Sequence, residues 1–282
     1  MTTRKLLMQN PAAVVGSLLL FLMILLAVVG PVVRGVDPNS IDISHRFASF
    51  TAQHPLGTDD LGRDTFSRLL NGGRTSLTIA LAASAIGTLG GVIVGMTAGF
   101  VGGWVDLVVM RVDDLLFAIP TLLIAIGIVA LGGPSAGTTI VALGIAYMPF
   151  YARLVRGAVV GIKSRPYVDA SRAVGSSGFR LVRTEVLPGV IPLALVQSAA
   201  LVGYALVDEA SLGFLGLGVQ PPAASWGAMI NAGRQFITEA PWLTLLPGVM
   251  VIITVFGINL ISDALRDVLD PRRSQRAVRA SQ

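Results

Sequence analysis

Uncharged and mainly apolar stretches recur along the sequence, separated by short segments that carry charges, glycines or prolines. A helix needs about 20 apolar residues to cross the hydrocarbon core of a bilayer. Where a stretch is too long for one crossing, a turn sequence divides it: Gly132-Gly133-Pro134 interrupts the stretch 115–152 and marks two helices. The pattern predicts an all-α multi-pass membrane protein with six transmembrane helices, which lie within residues 12–33, 75–105, 115–152 (two helices), 186–207 and 240–262.

The composition supports insertion into a membrane. Of the 282 residues, 53% are hydrophobic and only 13% are charged, whereas a soluble domain carries about 25% charged residues. The absence of cysteine excludes disulfides, iron–sulfur ligation and thiolate catalysis. The formal net charge of +5 is explained by basic loops that orient the chain in the bilayer. We therefore expect a location in the plasma membrane and no nucleic-acid partner.

The distribution of lysine and arginine predicts that both termini are cytoplasmic. Six crossings place the two ends on one side, and an internal N-terminus puts fifteen of the 21 basic residues in cytoplasmic segments. The six external ones are Arg34, Arg46, Arg63, Arg68, Arg74 and Arg234. The chain then divides into residues 1–33 (tail and first helix), 34–74 (external loop), 75–265 (five-helix core, including the cytoplasmic loop 157–188) and 266–282 (basic tail).

The external loop carries the signals of a short helix. Residues 54–72 contain Asp and Thr near their start and end in Asn71-Gly72, which predicts an interfacial helix with a side-chain ion pair between Asp64 and Arg68. His54 has no HxH or HExxH spacing to the one other histidine. We interpret His54 as a surface histidine and not as a metal ligand.

Glycines form one face of the second predicted helix. They recur at every fourth position, which places them on one side of a helix where a neighbouring backbone can approach closely: Gly87, Gly91, Gly95 and Gly99. The neighbour is either another helix of this chain or a second membrane subunit. The sequence therefore predicts a packing surface here without identifying its partner.

Acidic residues occur in pairs at two helix ends. Asp208-Glu209 lies about 27 Å along the fifth helix, near its external end. Because buried carboxylates are costly in a bilayer, the pair either lines an external gate and contacts a cationic group of the cargo, or lies among lipid headgroups. Residues 216–236, which follow, are rich in turn formers and form a capping loop or a re-entrant segment. We interpret Asp113-Asp114 as the start of the third helix.

The cytoplasmic loop predicts a short helix that docks on another protein. Pro166 suits a first helical position, Asp169 lies in the first turn and Gly175 suits a stop, so about nine residues are helical. Residues at i, i+3, i+4 and i+7 form one stripe: Tyr167, Ala170, Ser171 and Val174. A helix this short is marginal alone, so we expect it to insert into a groove on a partner.

The same loop resembles the EAA loop of ABC-type importer permeases. The match consists of Asp169-Ala170-Ser171, then Gly175, then Glu185 and Leu187-Pro188. It departs from the family by Asp for Glu at 169, Ser for Ala at 171, and Glu for a hydrophobic residue at 185. In that family the loop is a coupling helix that docks on an ATP-hydrolysing subunit. The resemblance implies this role for Tyr167, Asp169, Ala170, Ser171, Arg172, Ala173, Gly175, Leu187 and Pro188.

Three further stretches resemble the C-type permease of dipeptide, oligopeptide and nickel importers: residues 54–64, residues 103–111 and residues 209–222. The resemblance implies a type I ABC importer permease fold that forms half of a translocation pathway, with a homologous B-type permease as the other half. It also implies two P-loop ATPase subunits, which hold ATP and Mg²⁺, and an external solute-binding protein. Because no GxxxxGK[ST] occurs here, we expect nucleotide to be bound elsewhere. We also expect no catalytic residue, metal or cofactor in this chain. The expected cargo is peptide-sized, with nickel and haem left open.

Two other classes of protein explain the sequence less well. A self-contained, proton-coupled secondary transporter could use Asp208 or Glu209 as its proton site, but the two halves contain no matched pair of broken helices. An intramembrane enzyme would need a Ser/His, HExxH or paired midplane Asp constellation, which the sequence lacks. The leading hypothesis is therefore a permease subunit of an ATP-driven importer.

Overall fold

The computed structural model describes residues 10–269, and within that range the chain is helical and contains no β-strand. In chain order the helices are α1 Pro11–Val28, α2 Gly30–Arg34, α3 Thr65–Val101, α4 Gly103–Phe117, α5 Thr121–Gly132, α6 Ala136–Lys163, α7 Pro166–Ala173, α8 Gly178–Leu181, α9 Leu187–Phe214, α10 Trp226–Gly233 and α11 Trp242–Leu269. A π-helical turn, Val182–Val186, joins α8 to α9 without a break. Residues 1–9 and most of the predicted basic tail lie outside the described residues.

The predicted all-α multi-pass fold is confirmed. Five helical segments are long and apolar enough to cross a membrane: α1, α3, α6, α11 and the continuous segment Gly178–Phe214. The pair α4 and α5 passes the same test only when the two helices are taken together, and they meet at an angle of 90°, as in a broken span or a re-entrant loop. The described residues therefore supply five candidate crossings, or six if the bent pair counts as one.

The predicted interfacial helix is wrong, because its residues form the first turns of α3. This helix begins at Thr65, where the Asp64 side chain caps it by accepting from the Ser67 amide, and it runs 37 residues without a stop. A Cβ on Gly73 would lie 2.7 Å from the Trp226 ring, and one on Gly72 would lie 3.3 Å from the backbone of Ser225. These glycines therefore leave space for the residues at the start of α10, and they do not end the helix.

The third crossing also differs from its prediction. The chain turns at Gly102 and Gly103, both with positive φ, and α4 begins there, before a sharp bend at residues 118–120 leads into α5. Pro120 explains the bend, since it lacks an N–H and disfavours helical geometry in the residue before it. Asp113 and Asp114 lie in the last turns of α4, so the prediction that they start a helix is wrong.

The glycine face of α3 lies against α6 of the same chain. A Cβ on Gly91 would lie 2.2 Å from the Cβ of Tyr151, and one on Gly95 would lie 2.4 Å from the carbonyl oxygen of Ala152. Gly87 meets Tyr147 and Gly99 meets Val159 in the same way. Such close backbone approach is typical of small-residue faces in membrane helices. The contact makes α3 and α6 one unit that supports the rest of the core.

Candidate functional site

The loop helix α7 projects from one end of the bundle and is attached to it by a single buried side chain. Val168 is 0% exposed and packs with Ile162 of α6 and Val186 before α9 in one apolar cluster. The helix ends where Gly175 adopts φ +86°, a conformation that favours glycine. Both ends of α7 thus form where the local sequence predicts them.

The outward side of α7 and α8 exposes large apolar side chains. Tyr167 is 44% exposed, Val174 84% and Phe179 78%. Ala170, Arg172 and Ala173 are exposed beside them, whereas Ser171 is half-buried. Exposed apolar side chains rimmed by polar groups are typical of a protein-binding surface. We use the name docking surface for Tyr167, Val174 and Phe179, after the role predicted for this loop from the sequence.

The chain after α7 returns directly into a membrane-crossing helix. Glu185 lies in the π-helical turn Val182–Val186, where Thr184 donates a hydrogen bond to its carboxylate over 3.3 Å. Leu187 is half-buried and Pro188 exposed, and both lie in the first turn of α9. Because α8, the π turn and α9 are continuous, the segment that follows α7 leads without a break into a membrane-crossing helix. The π turn and Phe179 were not predicted from the sequence, which gives no periodic signal for either.

Ion pairs fasten α4 to the part of α6 that precedes α7. Arg156 donates to Asp106 through two guanidinium nitrogens: Nε to Oδ1, and Nη2 to Oδ2 over 2.6 Å. Arg153 donates to Asp113 over 3.0 Å and to Asp114 over 2.8 Å. These partners are 39 to 50 residues apart in sequence, so no helical spacing could have predicted them.

Lys163 adds a link from the last turn of α6 to the end of α3. Its Nζ donates to the carbonyl oxygen of Phe100 over 2.6 Å and to that of Gly99 over 3.2 Å. These carbonyls belong to the last turn of α3, where a cation is favourable because helical carbonyls there lack internal partners. The base of the loop is therefore fixed to α3 and α4 as well as to α6.

A cavity of about 440 Å³ opens between α6, α9 and α11, with lining residues that include Tyr147, Phe150, Gln197, Tyr204, Asp208 and Arg266. Asp208 accepts a hydrogen bond from the Tyr147 hydroxyl over 2.6 Å. Arg266 donates to the side-chain oxygen of Gln197 over 3.2 Å. The cavity therefore carries one carboxylate and one guanidinium, each held by a polar neighbour.

Glu209 lies on the other side of α9 from the cavity. Its side chain is 0% exposed, and the hydroxyl groups of Ser76 and Ser225 face its carboxylate at the edge of hydrogen-bonding geometry. Ser225 also caps the N-terminus of α10, an end that favours a negative charge. The structure thus separates the two members of the predicted pair: Asp208 reaches the cavity, whereas Glu209 is buried where α3, α9 and α10 meet.

Asp64 organises the polar segment at the opposite end of the bundle from α7. Arg34 binds it through Nε and Nη2, both at 3.2 Å, and His54 Nδ1 lies 3.0 Å from Oδ1. Burial raises the pKa of the Asp64 carboxyl. Arg34, His54 and the Ser67 amide together lower this pKa by more than burial raises it, so the net pKa lies below its ordinary value. The predicted Asp64–Arg68 side-chain pair does not form; Arg68 lies 3.6 Å from Asp59 instead. No cluster of three metal-ligating side chains occurs within residues 10–269.

Two family models match the sequence. Residues 91–275 match the family described as "Binding-protein-dependent transport system inner membrane component", and residues 2–55 match the "N-terminal TM domain of oligopeptide transport permease C". The first match includes the docking surface, the ion pairs and the cavity. The second includes α1 and much of the segment that leads to Asp64.

Curated relatives extend over nearly the whole chain. A dipeptide transport system permease protein DppC of Alkalihalophilus pseudofirmus is 37% identical, with 95% of this chain and 88% of that protein covered. A di/tripeptide transport system permease protein DppC of Pseudomonas aeruginosa is 39% identical, with 95% and 91% covered. A probable D,D-dipeptide transport system permease protein DdpC of Escherichia coli is 36% identical, with 93% and 88% covered.

Solved structures share the fold at low sequence identity. Inward-facing conformations of the MetNI methionine ABC transporter match with a TM-score of 0.58 and 22% identity, covering 72% of this chain and 97% of that one. An amino acid ABC transporter with histidines matches with a TM-score of 0.55 and 16% identity, covering 72% and 94%. Together with the family match over residues 91–275, these findings show that the chain belongs to the family of inner membrane components of binding-protein-dependent transport systems, the permeases of ABC importers.

Proposed function

We propose that this chain is one of two permease subunits of an ATP-driven importer for di- or oligopeptides. Peptide cargo is supported by the names of the curated relatives, which are dipeptide, di/tripeptide and D,D-dipeptide permeases. The chain forms half of the translocation pathway in the cytoplasmic membrane, and a homologous B-type permease forms the other half. A solute-binding protein delivers the peptide from outside.

The observation that carries the proposal is the docking surface on α7 and α8. Tyr167 on α7, Val174 just after it and Phe179 on α8 expose apolar area, and a single buried residue, Val168, anchors α7 to the bundle. In this role α7 inserts into a groove on an ATPase subunit, with Asp169 and Arg172 at the rim, 3.5 Å apart. Two P-loop ATPase subunits bind ATP and Mg²⁺ and perform the hydrolysis. This chain performs no chemistry and transmits their movement from α7 into α9.

The cavity supplies the surface along which cargo moves. Asp208, held by Tyr147, presents a carboxylate to the space between α6, α9 and α11. It is the candidate for contact with a cationic group of the peptide. The burial of Glu209 supports a different role for that residue, in which its carboxylate holds α9 to α3 and to the N-terminus of α10.

Site-specific cross-linking tests the docking proposal. The chain has no cysteine, so Ala170→Cys and Ala173→Cys each introduce one reactive thiol on the exposed part of α7. We expect both variants to form a cross-link to an ATPase subunit in membranes. We also expect the yield of the cross-linked product to change when ATP is added. Ser40→Cys, an exposed position in the opposite polar segment, is the matched control and captures no ATPase. Failure of both α7 variants to capture an ATPase contradicts the proposal.

A further inference from the structure

We propose that the cavity between α6, α9 and α11 binds a short peptide by its two charged ends, with the α-amino group at Asp208 and the α-carboxylate at Arg266. This inference rests on the peptide cargo proposed above. It goes further by assigning both termini to named residues and by setting a length and a direction for the bound peptide.

The charges of the cavity have the arrangement that a zwitterionic peptide needs. Within the described residues, Asp208 and Arg266 are the only charged side chains that line it. The 2.6 Å bond from Tyr147 goes to Asp208 Oδ2 and aims the carboxylate, and from residues 10–269 no other hydrogen bond to this carboxylate is seen, so Oδ1 can accept from an ammonium group. The Arg266 guanidinium uses one nitrogen on Gln197, so further N–H groups remain for a carboxylate.

The spacing of these groups sets the length of the peptide. Gln197, which holds Arg266, and Asp208 lie eleven residues apart on α9, which corresponds to about 16 Å along the helix axis. An extended peptide spans about 3.3–3.6 Å per residue, and the two protein side chains reach into the space from both ends. A peptide of about two to four residues therefore connects the two charges.

The direction follows from the course of α9. This helix starts beside α7 and ends at Phe214, so Asp208 lies towards the end remote from α7, and Gln197 and Arg266 lie nearer to α7. A peptide held by both charges therefore points its carboxylate towards the docking surface and its amino group away from it.

The walls between the charges do not select particular side chains. They are formed by aromatic and small apolar residues, including Phe150, Ala200 and Tyr204, and Tyr204 is 68% exposed. Apolar and aromatic walls accept side chains of many kinds, whereas the two termini are common to all unmodified peptides. Recognition by the termini therefore allows a permease to pass peptides of varied sequence.

Uptake by the complete reconstituted transporter tests the inference. We expect Asp208→Asn to lower uptake of tri-alanine about tenfold or more, because a charged hydrogen-bond partner is lost. The same variant leaves uptake of N-acetyl-tri-alanine unchanged relative to the unaltered complex. Arg266→Gln shows the converse pattern: it lowers uptake of tri-alanine and leaves that of tri-alanine amide unchanged. Asp263→Asn and Arg74→Gln, exposed charges that do not line this cavity, are the matched controls.

The outcomes separate the inference from the proposed function. If the unaltered complex with its binding protein imports no peptide, the peptide cargo itself is wrong. If it imports tri-alanine but each variant lowers uptake of free and capped peptides equally, only the assignment of the termini is overturned. Peptide-stimulated ATPase activity, measured in the same vesicles, checks that the variants still couple to the ATPases.

A second measurement avoids any selection by the binding protein. Tyr204→Cys places the only thiol of this chain in the cavity wall, and mass spectrometry of this chain reports its modification by a maleimide. In the complex without binding protein, we expect tri-alanine to slow the modification. Adding Asp208→Asn to this variant raises the tri-alanine concentration that is needed for half-maximal protection about tenfold. Equal protection with and without Asp208→Asn, or no protection at all, overturns the inference.

Discussion

Arg156 of α6 and Asp106 of α4 form a two-point ion pair, with Nη2 and Oδ2 2.6 Å apart, at the base of the loop that carries α7. A parallel pair of N–H···O bonds fixes orientation as well as distance. Because α6 leads directly into α7, this pair joins α4 to the helix that carries the loop. Arg153 repeats the link one turn earlier through Asp113 and Asp114.

Breaking this pair is expected to uncouple transport from hydrolysis. Asp106→Asn leaves Arg156 without its carboxylate, and Arg156→Asp leaves two carboxylates facing each other. Each single variant lowers uptake by the reconstituted complex several-fold while ATP hydrolysis continues, because the pair is partly exposed and contributes only about 1 kcal/mol to folding. The exchanged variant Asp106→Arg with Arg156→Asp restores part of the uptake. A loss of hydrolysis equal to the loss of uptake contradicts this prediction.

Val168 is predicted to connect docking with transport. Val168→Ala removes buried apolar surface from the cluster under α7 and destabilises the attachment of the loop by about 1.5 to 3 kcal/mol. We expect ATPase binding to persist, since the docking surface is unchanged, while uptake per ATP hydrolysed decreases. Val160→Ala, a matched change at a 47% exposed position of α6, leaves this ratio unaltered. Equal ratios in the two variants show that Val168 is not needed for coupling.

Gly91 is predicted to be essential for the contact between α3 and α6. An alanine there places Cβ 2.2 Å from the Cβ of Tyr151, and backbone atoms on both helices must move apart. We expect Gly91→Ala to destabilise the protein by about 1 to 3 kcal/mol and to lower its apparent unfolding temperature in detergent. Gly127→Ala in α5, where no atom lies within 4 Å of the new Cβ, is the control and leaves that temperature unchanged or raises it.

Acid is predicted to weaken the polar segment around Asp64. Because its pKa is lower in the native protein than in the unfolded chain, the ionised carboxylate stabilises the fold above the ordinary value of 3.8. This contribution is lost as the pH falls below that value. Asp64→Asn keeps a side chain that can cap α3 but removes the charge. We expect it to be less stable than the unaltered protein at pH 7 by about 1 to 2 kcal/mol.

Thermal unfolding between pH 7 and pH 2 measures this effect, because the loss begins near pH 3.8 and continues down to the lower native pKa. The difference between Asp64→Asn and the unaltered protein shrinks as Asp64 becomes protonated. Asp37→Asn, an exposed change in the same segment, is the control. Its unfolding temperature differs from that of the unaltered protein by the same amount at every pH. A difference for Asp64→Asn that is independent of pH contradicts the assignment to its charge.

The sequence by itself determined the features that depend on local chemistry. Apolar stretches long enough to cross a bilayer can be satisfied only as helices, because unpaired backbone groups are costly in hydrocarbon. The helix α7 is equally local: Pro166 presets its first turn and Gly175 adopts the positive φ that ends it. The all-α multi-pass fold class and the position of the loop helix α7 therefore followed from the residues alone.

Features that depend on a distant neighbour were not available from the sequence. Asn71-Gly72 is typical of a helix end, yet α3 continues, and residues more than 150 positions away fill the space beside its glycines: Ser225 lies against Gly72 and Trp226 against Gly73. In the sequence, Arg153 and Arg156 count only as basic loop residues that orient the chain in the membrane. In the structure α4 lies beside them, because the chain bends at Pro120, and they form ion pairs with Asp113 and Asp106.

The tertiary structure also separated residues that the sequence places together. Asp208 and Glu209 are adjacent, but successive residues on a helix point about 100° apart, so one faces the cavity and the other the interior. Which of them is buried depends on where α10 packs, and Arg266 joins the cavity only because α11 returns beside α9. Local chemistry fixes where helices begin and end, whereas packing between distant helices decides which side chains meet, because each contact depends on the positions of all the others.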